Sequence, residues 1–514
     1  MTDSVAGLIR AQAAARPQAV FALATGTGRA ITYRALADSA AGTALALRQR
    51  GVAPGATVAL VMPNGLATLE LLLGAMAAGV AVNPVNLLSA ADAMGYVLDH
   101  SDCALVFAAP DWADRVRALV AGLVRPVAVV EIDPDAPLPW AAEPPGSGAA
   151  TMPTDPASAA PPPDTGGTAL LMYTSGTTGR PKGVMLTQAN LVANARAIAA
   201  EHALGPDDRV LGVLPLYHIN AFAVTMLAPL ASGGSVAMAP RFSAGQFWRQ
   251  ALDSGCTWIN LVPTMVSYLL EADAPPPQAR ERIRFARSAS AALPPEHLQG
   301  FEQRFGIGVI ETMGLTETVA PAFSNPLAAG QRKLGSVGRA SGGEARIIGP
   351  DLQPLPDGQT GELAIRGPHV MRGYFKDPAA TAAAFTPDSW LRTGDLGHRD
   401  GDGFFFVTGR IKELVIKGGE NIAPREIDEA LLRHPAVLEA GTVGIPDRHY
   451  GQELAACVVL REGHAADEAA LRAHCERELG RYKTPRHIRI VADLPRGPSG
   501  KLQRLKLQGQ FSDV

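Results

Sequence analysis

Tyr173-Thr174-Ser175-Gly176-Thr177-Thr178-Gly179-Arg180-Pro181-Lys182-Gly183 is the stretch whose reading decides the fold. An apolar run at 169–173 enters it and reads as a buried strand. A helix is expected from Thr187, with Leu191, Ala195, Ile198 and His202 on one face. The loop therefore follows a strand and is expected to precede a helix. Its small hydroxyls (Thr174, Ser175, Thr177, Thr178), its glycines and its two cations, Arg180 and Lys182, suit a polyphosphate. Glycine lets backbone N–H groups converge on one point, and hydroxyls and cations add donors and charge. The stretch does not fit G-x-x-x-x-G-K-[ST], and no G-x-G-x-x-G occurs, so neither a P-loop nor a dinucleotide fold is supported.

Outward from the loop, strand-like runs at 209–216, 235–239, 257–262 and 306–312 alternate with helix-like segments, and Pro263 is placed to begin a helix. This alternation predicts α/β layers with largely parallel sheets. The apolar stretch 67–88 is nearly long enough to cross a bilayer. It carries Glu70, Asn83, Pro84 and Asn86, and reads as a buried helix followed by a buried strand. Residues 143–167, rich in Pro, Ala, Gly and Ser, read as a surface connection. From about Lys412 the elements become shorter and mixed: a strand at 413–417, a helix opening at Pro424, two strands, a helix at 467–479 and a last strand at 487–491. The expected fold is a large α/β N-terminal domain of layered sheets and helices, residues 1–411, with a small mobile α+β C-terminal domain, residues 412–514.

Bulk properties agree. A chain of 514 residues is too long for one core, and 47% hydrophobic residues exclude a largely disordered chain. A net charge of −3 points to no nucleic-acid or anionic-membrane partner. Cys103, Cys256, Cys457 and Cys475 form no metal-ligand pattern and read as reduced thiols. With no basic-then-apolar leader after Met1-Thr2-Asp3, a cytoplasmic protein is expected.

The loop 173–183 closely resembles the phosphate-loop signature of the adenylate-forming superfamily, which holds acyl-CoA synthetases, peptide-synthetase adenylation domains and firefly luciferase. The resemblance continues in order over nearly the whole chain. In Met313-Gly314-Leu315-Thr316-Glu317-Thr318 it implies that Glu317 contacts Mg2+ and Thr316 the nucleotide. A carboxylate there suits an ion that takes few protein ligands and shares phosphate oxygens. Met313 stands where many relatives carry an adenine-stacking aromatic residue. Ser288-Ala289-Ser290-Ala291-Ala292 resembles the small-residue segment beside the adenine and acyl sites. Thr393-Gly394-Asp395 and Gly409-Arg410 resemble the ribose-binding pair; on its own, Thr-Gly-Asp is more often a turn. Pro495-Arg496-Gly497-Pro498-Ser499-Gly500-Lys501 resembles the C-terminal signature, with Gly497 in place of the usual Thr. Its lysine bridges the substrate carboxylate and the α-phosphate, offsetting the repulsion between two anions. Lys417-Gly418-Gly419-Glu420-Asn421 resembles the loop that approaches the acyl adenylate for thioester formation, and Lys412 stands at the hinge position.

The resemblance implies catalytic roles for Lys501, His218, Thr174 and Glu317, with Glu317 as the metal ligand. It implies nucleotide and CoA contacts at Thr174, Ser175, Gly176, Thr177, Thr178, Gly179, Lys182, Ser290, Ala291, Met313, Gly314, Thr316, Asp395, Arg410, Lys412, Gly418, Gly419 and Glu420. The acyl pocket is expected around His218, Ile219, Asn220, Phe222, Val262, Pro263, Ser290, Met313 and Ala320. That set is mainly apolar, and no acid stands near His218 to hold an α-amino group. It favours a short-to-medium or aromatic acid, with room for a hydroxyl near Asn220, over an amino acid. The implied activity is an ATP-, Mg2+- and CoA-dependent carboxylate–CoA ligase acting through acyl-AMP, with a homodimer possible. Delivery to a carrier-protein thiol is the first alternative, though no carrier domain follows Val514. Nucleotide binding without catalysis is the second; Lys501, Glu317 and the complete loop weigh against it.

Overall fold

The apolar runs sort into four β-sheets in the computed structural model, which describes residues 3–140, 164–174, 180–496 and 502–512. A nine-stranded sheet has five parallel pairings at its centre. These link Val20–Ala24, Ser235–Met238, Arg209–Gly212, Trp258–Leu261, Phe285–Ser288 and Val309–Met313, with antiparallel strands at both edges. A seven-stranded sheet runs parallel from Ala128–Glu131 through Cys103–Ala108, Thr57–Val61 and Ala81–Pro84 to Thr168–Thr174. Helices cover these sheets because both faces are apolar, as all-parallel arrangements require.

Thr168–Thr174 does not feed a helix directly. It pairs antiparallel with Lys182–Thr187, in register from Thr168↔Thr187 to Thr174↔Lys182. Thr174 and Lys182, which flank residues 175–179, therefore lie on paired strands. The helix begins one element later, at Gln188–Glu201, where Thr187 and Asn190 form a reciprocal capping box. Leu191, Ala195 and Ile198 face the core as expected. The predicted strands at 209–216 and 306–312 shorten to Arg209–Gly212 and Val309–Met313. Gly306 instead ends the preceding helix in the left-handed region at φ 64°.

The stretch 67–88 forms the buried helix Leu66–Ala77 and the strand Ala81–Pro84. Leu69, Leu71, Leu72 and Leu73 are fully buried, each contributing about 1.5–3 kcal/mol relative to exposure. Among the described residues no helix is long and apolar enough to cross a membrane. Most of 143–167 lies outside the described residues. All four cysteines are buried and unpaired.

A third sheet, antiparallel throughout, joins Glu344–Ile348, Gly361–Arg366, Leu391–Arg399 and Phe405–Arg410. After the short turn Ile411–Glu413 comes a five-stranded sheet. It contains Val415–Lys417, Glu420–Ile422, Val437–Asp447, Gly451–Leu460 and His487–Ile490, packed against helices Pro424–Leu432 and Glu468–Leu479.

Candidate active site

The two ends of the phosphate loop are held by the helix Ala91–His100. Tyr173 shares a hydrogen bond of 2.8 Å with His100 Nδ1, and the Arg180 guanidinium lies 5.6 Å from the centre of the Tyr96 ring. Tyr96 and His100 are one helical turn apart, so both clamps fall on one face. Ser175, Gly176, Thr177, Thr178 and Gly179 lie outside the described residues, as does Lys501. Thr174 and Lys182 stand opposite each other at the mouth of the hairpin.

Lys182 reaches over the Tyr374 ring, with Nζ 4.9 Å from its centre. Tyr374 donates its hydroxyl proton to Glu317 Oε1 at 2.9 Å. Burial pushes the Tyr374 hydroxyl well above its ordinary pKa, and the Glu317 carboxylate adds to the shift, so the phenol remains a donor. The Met371 N–H also donates to the Glu317 backbone carbonyl, at 2.8 Å. Gly314 is confined by packing: a Cβ there would lie 2.7 Å from Ala320 Cα and 2.8 Å from Pro321 Cα.

Asp395 and Arg410 are cross-strand partners, and Arg410 Nε donates to Asp395 Oδ1 at 2.7 Å. The Asp395 carboxylate, followed by Glu413 and Glu317 at longer range, holds the Arg410 guanidinium above its ordinary pKa despite burial. The charges of the two motifs thus sense one another. Among the described residues no group of three or more His, Cys, Asp or Glu side chains is arranged to hold a metal. A single oriented carboxylate such as Glu317 still fits Mg2+ chemistry, in which phosphate oxygens and water supply the other positions.

On the acyl side, His218 sits in the turn before a seven-residue π-helix, Ala221–Leu227, with its ring 4.7 Å from that of Tyr217. π-Turns are rare and frequent at functional sites. Ile219, Asn220, Phe222 and Ala320 are buried, while Val262, Pro263, Ser290, Met313 and Thr316 are partly exposed and Ala291 is open to solvent. Asn220 Nδ2 donates to Ser290 Oγ at 3.2 Å, joining two of the expected pocket residues. Ser290 adopts φ 77°, a strained conformation for a non-glycine residue.

Lys412 is exposed, and Gly418 and Gly419 take φ 56° and 90° beside exposed Glu420. Lys417 anchors this turn. It forms a buried 2.5 Å ion pair with Glu453, donates to the Tyr482 carbonyl at 3.0 Å, and its own carbonyl accepts from the Tyr482 hydroxyl.

Two elements of the site escaped the sequence reading. Tyr374 lay in an unremarked Gly-Tyr-Phe-Lys segment. Arg287 is fully buried between Asn220 and Asn260. A lone arginine amid Phe285-Ala286 and Ser288-Ala289 was a usable signal, since arginine is rarely buried without purpose.

The Thr174–Lys182 strand pair, the Tyr374–Glu317 contact, the Asp395–Arg410 pair and the Gly418-Gly419 turn are compatible with an adenylate-forming acid–thiol ligase. Sequence kinship agrees. The AMP-binding enzyme model matches residues 9–375 and the AMP-binding enzyme C-terminal domain model residues 426–501; the chain belongs to this family. A sulfoacetate–CoA ligase from Cupriavidus necator is 57% identical over 507 residues, spanning 98% of this chain and 97% of its own. An oxalate–CoA ligase from Arabidopsis thaliana is 35% identical, covering 88% of each chain. The crystal structure of ATP-bound MatB from Rhodopseudomonas palustris superposes with a TM-score of 0.91 at 29% identity, covering 100% of this chain and 99% of that one. The protein is an ATP-dependent carboxylate–CoA ligase. It uses ATP, Mg2+ and CoA, forming acyl-AMP and pyrophosphate and then acyl-CoA and AMP.

Proposed function

We propose that the acid activated is a short carboxylate bearing a second anionic group, with sulfoacetate as the first candidate. The observation that carries this reading is the 57% identity, over almost the entire length, to a sulfoacetate–CoA ligase. Oxalate, named for the Arabidopsis thaliana relative, is likewise a two-carbon dianion. The test is ATP–pyrophosphate exchange against sulfoacetate, oxalate, malonate, acetate, hexanoate, benzoate and ferulate, repeated with CoA while AMP is followed. Sulfoacetate is expected to give the highest kcat/KM; preference for benzoate, ferulate or hexanoate refutes the reading.

In the proposed mechanism Thr174, the loop 175–179 and Lys182 hold the β- and γ-phosphates. Glu317 would hold Mg2+, which would supply charge neutralisation on the phosphates. Asp395 accepts hydrogen bonds from the ribose hydroxyls, and Arg410 keeps that carboxylate aligned. Ser290, Ala291, Met313, Gly314 and Thr316 line the adenosine side. One carboxylate oxygen of the acid attacks the α-phosphorus, and pyrophosphate leaves. Lys501 and His218 are the residues assigned to the reacting carboxylate, where a cation would offset anion–anion repulsion. The CoA thiolate then attacks the acyl carbon and AMP departs, with the pantetheine arm passing Gly418, Gly419 and Glu420. Residues 412–514 act as the swivelling domain and Lys412 as its hinge. Lys412→Pro should separate the two half-reactions, and full overall turnover in that variant counts against the hinge. Cytoplasmic residence and a homodimer complete the proposal, to be checked by fractionation and by sedimentation.

A further inference from the structure

His100 closes the helix Ala91–His100 and gathers three aromatic rings around its own. Its Nδ1 shares the 2.8 Å hydrogen bond with the Tyr173 hydroxyl, its ring stacks on Tyr96 at 5.1 Å, and the Phe375 ring stands edge-on to it at 5.8 Å. Tyr173 lies directly across from Gly183 in the strand register, and its ring covers that glycine. A Cβ on Gly183 would come within 3.1 Å of Tyr173 Cζ. The Phe375 N–H donates to the Gly183 carbonyl at 2.7 Å. Tyr173, Gly183 and Phe375 thus form one row across the sheet, and His100 grips that row from one face.

Successive side chains along a strand point to opposite faces. With Tyr173 and Phe375 turned toward His100, their neighbours Thr174 and Tyr374 are turned away from it, as is Lys182 beside Gly183. Lys182 Nζ lies 4.9 Å from the centre of the Tyr374 ring, and Tyr374 bonds Glu317, so these side chains meet on the other face. The residues assigned to phosphate and metal therefore stand on the front of a sheet whose back is tied to His100. Burial holds the Tyr173 hydroxyl above its ordinary pKa, so it stays a donor. Nδ1 must then accept, which requires a neutral imidazole with its proton on Nε2. Burial and then Lys376 lower the His100 pKa, against Asp102, Asp99 and Asp377, and Lys376 is itself paired with Asp102 at 2.8 Å.

We propose that His100 is a positioning residue for ATP, its hydrogen bond to Tyr173 behind the sheet holding Thr174 and Lys182 in place for the β- and γ-phosphates in front of it. The inference rests on the phosphate assignment of Thr174 and Lys182 given under Proposed function. A proton on Nδ1 removes the acceptor, so triphosphate binding loosens as pH falls and His100 becomes charged.

The test is calorimetric titration with MgATP and with AMP, acid omitted, with melting temperature as the folding control. His100→Phe keeps a ring between Tyr96 and Phe375 but has no acceptor, and Tyr173→Phe removes the donor. His100→Asn offers a carbonyl oxygen near the place of Nδ1. His100→Phe and Tyr173→Phe should each weaken ATP binding by about 3–10-fold, the scale of one net hydrogen bond, and the double variant by no more than either alone. AMP, which lacks the β- and γ-phosphates, should bind as to the wild type, and His100→Asn should recover most of the ATP affinity. From about pH 7.5 to about 5.5 the wild type should lose ATP affinity relative to His100→Asn, a comparison in which the titration of ATP itself cancels. Equal losses on ATP and AMP would mean a merely structural histidine and overturn the proposal. So would additive losses in the double variant, or an ATP affinity that does not fall relative to His100→Asn on acidification. Should His100→Phe fail to fold, Tyr173→Phe and the pH comparison decide by the same criteria. Lys182→Ala separates the two readings. Unchanged ATP affinity there overturns the phosphate assignment and this inference with it, whereas a loss there beside intact affinity in His100→Phe and Tyr173→Phe overturns this inference alone.

Discussion

Tyr374→Phe isolates one hydrogen bond at the proposed metal carboxylate. The substitution removes the hydroxyl that donates to Glu317 Oε1 at 2.9 Å and leaves a ring beneath Lys182. A hydrogen bond to a charged group contributes about 1.5–3 kcal/mol, and the half-exposed setting of both residues places this one near ~1.5 kcal/mol. That corresponds to roughly tenfold in an equilibrium constant. The ring still offers a π face to Lys182, so the hairpin should keep its place. In ATP–pyrophosphate exchange at saturating acid, half-maximal rate should need about tenfold more Mg2+, judged by the same bond energy. Thioester formation from supplied acyl-AMP should not change, because the pyrophosphate site is no longer in use. An unaltered Mg2+ requirement in a well-folded variant would show that Glu317 does not orient the ion, or that Tyr374 does not orient Glu317. A far larger loss with normal Mg2+ dependence would place the phenol in the chemistry itself and refute the reasoning by another route.

Other consequences follow from specific contacts. Lys501→Ala should slow adenylation by ~10²-fold or more through loss of one charge contact in the transition state. It should spare the thioester half-reaction, and equal losses in both contradict the division of labour. Asp395→Asn keeps the shape but weakens acceptance from ribose hydroxyls. Discrimination between ATP and its 2′- or 3′-deoxy analogues should shrink by about tenfold, the scale of one charged hydrogen bond; undiminished discrimination removes Asp395 from the ribose site. Glu453→Gln leaves Lys417 buried and unpaired, with an expected cost of about 3–5 kcal/mol by chemical denaturation. A cost near zero means that the ion pair does not hold the Gly418-Gly419 turn. Burial pushes the Glu311 carboxyl up from 4.5 to about 7, against the Leu293 N–H bond that favours its charged form. The folded state therefore binds more protons than the unfolded one between these values, and this group's contribution to stability falls as pH rises through that window. Glu311→Gln should remove roughly 3 kcal/mol of that fall. A denaturation profile between pH 4.5 and 8 that is unchanged from the wild type's refutes the assignment to Glu311.

The nucleotide chemistry was open to reading along the chain for a physical reason. A phosphate cradle is made largely from backbone N–H groups in consecutive residues, so Thr174 to Lys182 carry their meaning as one contiguous phrase. The same holds for the Gly418-Gly419 turn and for the buried helix Leu66–Ala77, whose burial is written in an unbroken apolar run. Local chemistry misled where two structures share one pattern. The loop was expected to open a helix, whereas Lys182–Thr187 pairs back as a strand before the helix starts. The third, antiparallel sheet over 344–410 was not anticipated, since its short strands are punctuated by Gly and Asp and show little periodicity.

From sequence alone came the family, the two-step chemistry and the glycine, lysine and glutamate residues expected to serve it. The tertiary structure decided which side chains constrain one another. Tyr374 meets Glu317 across 57 residues, and Arg287 meets Asn220 across 67. Neither pairing has a local signature, because partners this far apart are set by strand register and by the packing of helices on sheets. Only folding buries Arg287 between Asn220 and Asn260, because these three residues are brought together by sheet register and not by proximity in the chain.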